Sequence, residues 1–207
     1  MLIPPHRLCV YCGSGPGRNP AYMQAADELG VLMAKAGIGL VYGGGGMGLM
    51  GQVARGVLGA GGHVTGIIPE FLVSKERMLE GVSELIVTRT MHERKTLMFE
   101  KSTGFVALPG GVGTLEELAE ITTWAQLGQH AKPLIVCNIE NYWDPLLVLL
   151  EHMRAESFIR AGMDVLVEVA QTAEDVVPIY QHRRSFTADI VPLKVIQDKL
   201  YTRHHKF

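Results

Sequence analysis

The sequence predicts an α/β protein with a doubly wound parallel sheet, helices on both faces and a single domain. Three observations carry that prediction. Short apolar runs alternate along the chain with longer segments of helical periodicity. The apolar runs are continuous rather than alternating, as expected for strands buried on both faces. Glycine-rich loops follow several of those runs, at the strand ends where such sheets bind ligands. Right-handed crossovers between parallel strands then wind the sheet in both directions.

Size and composition fit this class. A chain of 207 residues is expected to form one domain with a large core. That domain is expected to span 1–182, with 183–207 as a basic C-terminal extension that either frays as a terminus or packs on a partner subunit. The 24 glycines exceed the usual share of about 7% and cluster at strand ends. A formal net charge of −2 gives no global attraction to nucleic acid or membrane surfaces. The three cysteines, an odd count without a secretory leader, point to reduced thiols in the cytoplasm. No apolar run approaches the roughly 18 residues that span a bilayer.

The elements follow in order. Arg7 to Cys12 reads as the first strand and runs into Gly13-Ser-Gly-Pro-Gly17. Cys9 and Cys12 lie three apart, so a strand turns them to opposite faces, and neither a metal site nor a redox motif is assigned. Ser14, at the strand end, is either a turn serine or a ligand contact. Pro20 to Ala36 carries an apolar helical stripe ended by Gly37. Gly39 to Tyr42 is the second strand. It leads into Gly43-Gly-Gly-Gly-Met-Gly-Leu-Met-Gly51, which contains Gly45, Gly46 and Met47, and a small-residue helix follows. The loop fits Gly-x-Gly-x-x-Gly in two registers. It follows the second strand rather than the first, and Glu70 only loosely meets the ribose-binding acid, so a dinucleotide is the less favoured reading.

His63 to Ile68 is the third strand and Ser83 to Thr88 the fourth, with a partly helical connection between them. Thr90 and Glu93 have capping-box spacing, so a helix is expected to start there. Arg94 and Lys95 fall in its first turn, where cations are unfavourable unless an anion compensates. His92-Glu93 lacks the second histidine of a zinc-protease helix, so no metal is expected. Pro133 to Asn138, Tyr142 to Arg154, Val165 to Val169 and Thr172 onward read as strand, helix, strand and helix. From His182 the pattern weakens.

The most informative stretch is Gly104 to Gly128. An apolar run, Phe105 to Leu108, is stopped by Pro109, and helical periodicity resumes at Leu115. Between them lie Gly110, Gly111, Val112, Gly113 and Thr114. A loop with so few side chains brings backbone N–H groups close to a ligand. The helix start adds unpaired donors and a partial positive charge, which suits an oxyanion, above all a phosphate. Thr114 and Glu117 also have capping-box spacing, and on that ground alone Glu117 reads as a cap.

Pro109-Gly-Gly-Val-Gly-Thr-Leu-Glu-Glu117 resembles the Pro-Gly-Gly-x-Gly-Thr-x-x-Glu signature of the LONELY GUY family. Its members are cytokinin riboside 5′-monophosphate phosphoribohydrolases, often labelled lysine decarboxylase by mistake. Met91-His-Glu-Arg94-Lys95 resembles a second motif of the family. Cys12-Gly-Ser-Gly-Pro-Gly17 with Tyr22, Tyr42 to Gly51, and Gly66-Ile-Ile-Pro-Glu70 are similar in order and spacing. Gly15 departs from the many relatives that carry a second serine there.

The resemblance implies a Rossmann-like homodimer without a cofactor. It implies hydrolysis of the N-glycosidic bond of a nucleoside 5′-monophosphate, and makes Arg94 and Glu117 the catalytic pair. The phosphate is expected on the amides of Gly110 to Thr114. Ser14, Gly45, Gly46 and Lys95 are expected near the substrate, and Met47 and Met91 near the base. The rival readings are a non-catalytic nucleotide carrier or sensor on the same fold, and a dinucleotide-dependent oxidoreductase.

Overall fold

A computed structural model describes residues 3–74, 77–159 and 167–189. Strands β1 (Arg7–Tyr11), β2 (Gly39–Tyr42), β3 (Val64–Pro69) and β4 (Glu84–Thr88) form one half of the sheet. Strands β5 (Gly104–Ala107), β6 (Leu134–Cys137) and β7 (Val167–Ala170) form the other. The order is β4-β3-β2-β1-β5-β6-β7, and every pairing is parallel. This is the predicted doubly wound, Rossmann-like sheet. The winding direction reverses between β1 and β5, so the crevice at their C-terminal ends is the topological switch point.

Helices α1 (Pro20–Lys35), α2 (Gly48–Gly59) and α7 (Ala173–Asp189) lie on one face. Helices α4 (Met91–Glu100) and α5 (Val112–Gln126) lie on the other. A short α3 (Glu70–Val73) follows β3, and α6 (Asp144–Ala155) follows a 3₁₀ turn at Ile139–Asn141. Alternation along β1 splits the core. Leu8 and Val10 pack with Leu29, Met33, Val53 and Tyr180. Cys9 and Tyr11 pack with Val41, Ile67, Met98, Phe105 and Ile121. Cys9 and Cys12 therefore face opposite layers, as their spacing requires, and all three cysteines are free and buried.

Close approach of α1 and α2 depends on two glycines. A Cβ on Gly30 would lie 2.4 Å from the Val53 carbonyl, and one on Gly56 2.4 Å from the Asp27 carbonyl. The two helices meet backbone to backbone, which fixes the loop ahead of α1 over the start of α2.

Two expectations change. β4 is not a continuous buried run: as an edge strand it buries Thr88 while Leu85 and Val87 stay exposed. α7 continues past His182 to Asp189, so the extension assigned to 183–207 begins inside a helix. Beyond 189 it lies outside the described residues.

Candidate functional site

The β5–α5 connection joins a buried strand to a helix through a loop of small residues. Gly111 is the N-cap of α5 and contributes no side-chain cap. Leu115 N–H donates to the Gly111 carbonyl at 3.1 Å, the first bond of the helix. The N–H groups of Gly111, Val112, Gly113 and Thr114 have no hydrogen-bond acceptor among the described residues. Gly111, Val112 and Gly113 are exposed. Four donors thus stand unspent at the positive end of a 15-residue helix, three of them on exposed residues and the fourth on buried Thr114.

The Thr114–Glu117 capping box is not formed. The helix begins at Val112, so Thr114 is already its third residue and Glu117 lies inside it. The carboxylate instead accepts from Arg94 Nη1 at 2.7 Å. The other capping box is real in part. The Thr90 hydroxyl accepts from Glu93 N–H at 3.1 Å, and the Glu93 carboxylate accepts from Arg89 N–H at 2.9 Å.

Arg94 is held from three sides. Its Nε donates to the Ile67 carbonyl at 3.1 Å, and Nη1 also meets Met91 Sδ at 3.5 Å. Its Nη2 lies where a Cβ on Gly43 would come within 2.5 Å, so residue 43 must lack one. The side chains of Arg94 and Glu117 are only 10% and 12% exposed. Burial pushes the Glu117 carboxyl above its ordinary value, and the Arg94 charge pulls it back only in part. A carboxylate held in this balance is a better proton acceptor than an exposed one.

Lys95 is spent differently. Its Nζ binds Glu116 at 2.7 Å and Glu120 at 3.0 Å on the outer side of α5. Those contacts tie α4 to α5 in parallel with the Arg94–Glu117 pair.

A cavity of about 320 Å³ opens at the switch point. Gly13, Ser14, Gly15, Tyr22, Gly110 and Tyr142 are among its walls. Ser14 is therefore beside the amide loop. Arg94 and Glu117 are not in that wall, nor are Met91, Lys95, Val112, Gly113, Thr114, Gly45, Gly46 and Met47. Gly46 N–H donates to the Arg77 carbonyl at 2.9 Å, and its own carbonyl accepts from Arg55 at 3.0 Å. Met47 and Met91 are exposed at the starts of α2 and α4.

The first turn of α2, after the second glycine loop, is covered where the start of α5 is open. Leu49 and Met50 N–H groups, in the first turn of α2, donate to the carbonyls of Gly15 and Gly13 at 3.4 and 3.3 Å. Gly48 adopts φ +56°, and a Cβ there would meet the Ser14 backbone at 2.4 Å. The β1–α1 loop covers this helix start, so a pyrophosphate cannot take those donors as the dinucleotide reading requires.

Tyr142 went unrecognised in the sequence. Its hydroxyl donates to the Gly110 carbonyl at 2.5 Å, and its ring meets Tyr22 edge-on at 5.5 Å. It follows the C-terminal end of β6, the same address as the other loops, but its segment carries no glycine to flag it.

Together these features define an α/β protein with a switch-point cavity at the open start of α5 and, outside that cavity's wall, a buried arginine–carboxylate pair whose carboxylate belongs to the same helix. The chain belongs to the family whose model, described as possible lysine decarboxylase, matches residues 50–179. It is 46% identical over 171 residues to the cytokinin riboside 5′-monophosphate phosphoribohydrolase LOG of Oryza sativa subsp. japonica, covering 83% of this chain and 71% of that protein. It is 44% identical over 171 residues to the enzyme of the same name, LOG1, of Arabidopsis thaliana, covering 83% and 80%. In structure it is similar to the molybdenum cofactor binding protein of Rippkaea orientalis, with a TM-score of 0.63 and 26% identity, covering 86% and 96%. The molybdenum cofactor carrier protein of Chlamydomonas reinhardtii has the same fold, with a TM-score of 0.63 and 23% identity over 87% and 98%.

Proposed function

We propose that the protein hydrolyses the N-glycosidic bond of adenosine 5′-monophosphate and its N6-modified analogues, releasing free base and ribose 5-phosphate. The relatives named as phosphoribohydrolases support this reading. The observation that carries it is one helix, α5, with unspent amides at its start and Glu117 farther along it, paired to Arg94.

The phosphate binds the amides of Gly111 to Thr114, with the Ser14 hydroxyl as a further donor. That anchor brings the ribose to Glu117. As the C1′–N9 bond breaks, positive charge grows on the ribose ring, and the ionised carboxylate stabilises it. Glu117 also accepts a proton from the water that attacks C1′. The water oxygen ends on the sugar and a proton on the departing base. Arg94 keeps Glu117 ionised and oriented. Met47 and Met91 line the base, and Gly45 and Gly46 shape the loop beside it. Lys95 acts through α5 by neutralising Glu116 and Glu120.

The rival is a carrier or sensor that binds the nucleotide without cleaving it. A buried carboxylate paired with a buried arginine is an expensive feature for such a protein, whereas hydrolysis uses it. Lysine decarboxylation is not favoured either. It requires a lysine amine free to react with a cofactor carbonyl, and Lys95, the lysine beside the site, is held by two carboxylates.

The protein acts as a cytoplasmic homodimer in this reading. Exposed apolar residues near the α5 start, Val112 and Leu115, offer a surface for a second copy, and three free buried thiols suit a reducing compartment. No helix of the described residues is long and apolar enough to cross a membrane. The test is incubation with AMP and with N6-isopentenyl-AMP, followed by chromatography of the products. Free base is the expected result, and intact nucleotide after hours supports the carrier.

A further inference from the structure

We propose that Tyr142 is a positioning residue for the substrate phosphate, locking the Gly110–Gly111 peptide with its carbonyl turned away from the ligand. The proposal rests on the phosphoribohydrolase reading for the identity of the ligand and on geometry for the rest. A peptide between two glycines meets little steric resistance to flipping. Flipped, it would aim a carbonyl oxygen at the anion. In a planar trans peptide the C=O and the following N–H point in opposite directions. Holding the Gly110 oxygen at the Tyr142 hydroxyl, 2.5 Å away, therefore fixes where the Gly111 N–H points.

Tyr142 is itself firmly aimed. Glu140 and Asn141 both take left-handed backbone angles, φ 52° and 58°, in the turn that presents it. Such conformations persist only where the surroundings impose them. The Asn138 side chain accepts from Trp143 N–H at 2.7 Å and donates to Asp144 at 2.8 Å. The Trp143 indole donates to the Ala107 carbonyl at 3.2 Å, anchoring the turn on the end of β5. Tyr22 then meets the Tyr142 ring from the cavity side.

The experiment compares Tyr142→Phe with wild type in the full chain. The ring and its contact with Tyr22 remain, and only the hydroxyl is lost. The phosphate is held alike in ground and transition states, so KM for AMP should rise about fivefold to tenfold with kcat within about twofold. Calorimetric Kd for ribose 5-phosphate should rise by the same factor, while Kd for adenosine should not change. Values for AMP and ribose 5-phosphate within twofold of wild type would overturn the proposal. So would equal weakening of adenosine and ribose 5-phosphate, which would make Tyr142 a mere wall. If wild type releases no base from AMP, the hydrolase reading falls, and the ribose 5-phosphate titration still decides the role of Tyr142.

Discussion

At the scale of single residues, Glu117 is the group on which the proposed chemistry turns. Its carboxylate is buried, stands above its ordinary value because of that burial, and has Arg94 as its ion-pair partner. Glu117→Gln keeps the shape and should retain AMP affinity within a few-fold, while kcat falls about 10²–10⁴-fold. Steady-state kinetics beside calorimetry separates the two. The pH dependence has a definite sign. In the proposed mechanism the active form is ionised, so kcat/KM falls as pH drops through the carboxyl's raised value, and the acid limb lies above the ordinary carboxylate range. Arg94→Gln removes the charge that holds this value down, so its residual activity should show a limb at still higher pH. An unmoved limb would assign the titration to another group. Gly43→Ala tests the guanidinium seat: the added methyl meets Arg94 Nη2 and Met50 Sδ. We expect kcat/KM to fall tenfold to a hundredfold with the melting temperature nearly unchanged.

At the scale of elements, the start of α5 is less stable than it could be. Gly113 lies in a helical first turn, and a Cβ there would meet nothing within 4 Å. Gly113→Ala should stabilise the fold by about 0.5–1 kcal/mol through helix propensity, yet weaken AMP binding, because the methyl fills ligand space. Thermal melts and nucleotide titration test both halves, and unchanged affinity would mean that the loop does not touch the ligand. The α1–α2 contact predicts the opposite pattern. Gly56→Ala drives a methyl into the Asp27 carbonyl and should cost about 2–3 kcal/mol, lowering Tm by roughly 5–10 °C. These elements were largely legible in the sequence, since apolar runs and glycine punctuation are local signals. The first turn of α5 was less so. Thr114 and Glu117 carry a real capping spacing, but Gly111 starts the helix before Thr114. The Arg94–Glu117 pair joins residues 23 apart through tertiary packing, and no periodicity encodes it. Resemblance to a family pointed to it instead.

At the scale of the whole molecule, the sheet order places β1 beside β5 and leaves the crevice between their loops. Closure of the α2 start by the Gly13 and Gly15 carbonyls could not be read from either loop alone, because it depends on how α1 and α2 pack. The same is true of Tyr142, whose segment reaches Gly110 from the far side of β6. Among the described residues the start of α5 is left uncapped at the edge of the cavity, and it belongs to the helix that carries the carboxylate. The most direct test is chromatographic quantification of base and ribose 5-phosphate after the purified protein meets AMP or N6-isopentenyl-AMP. Equimolar release of both products by wild type, abolished in Glu117→Gln, is the outcome the structure predicts. Nucleotide that binds tightly and is recovered intact after hours would contradict it.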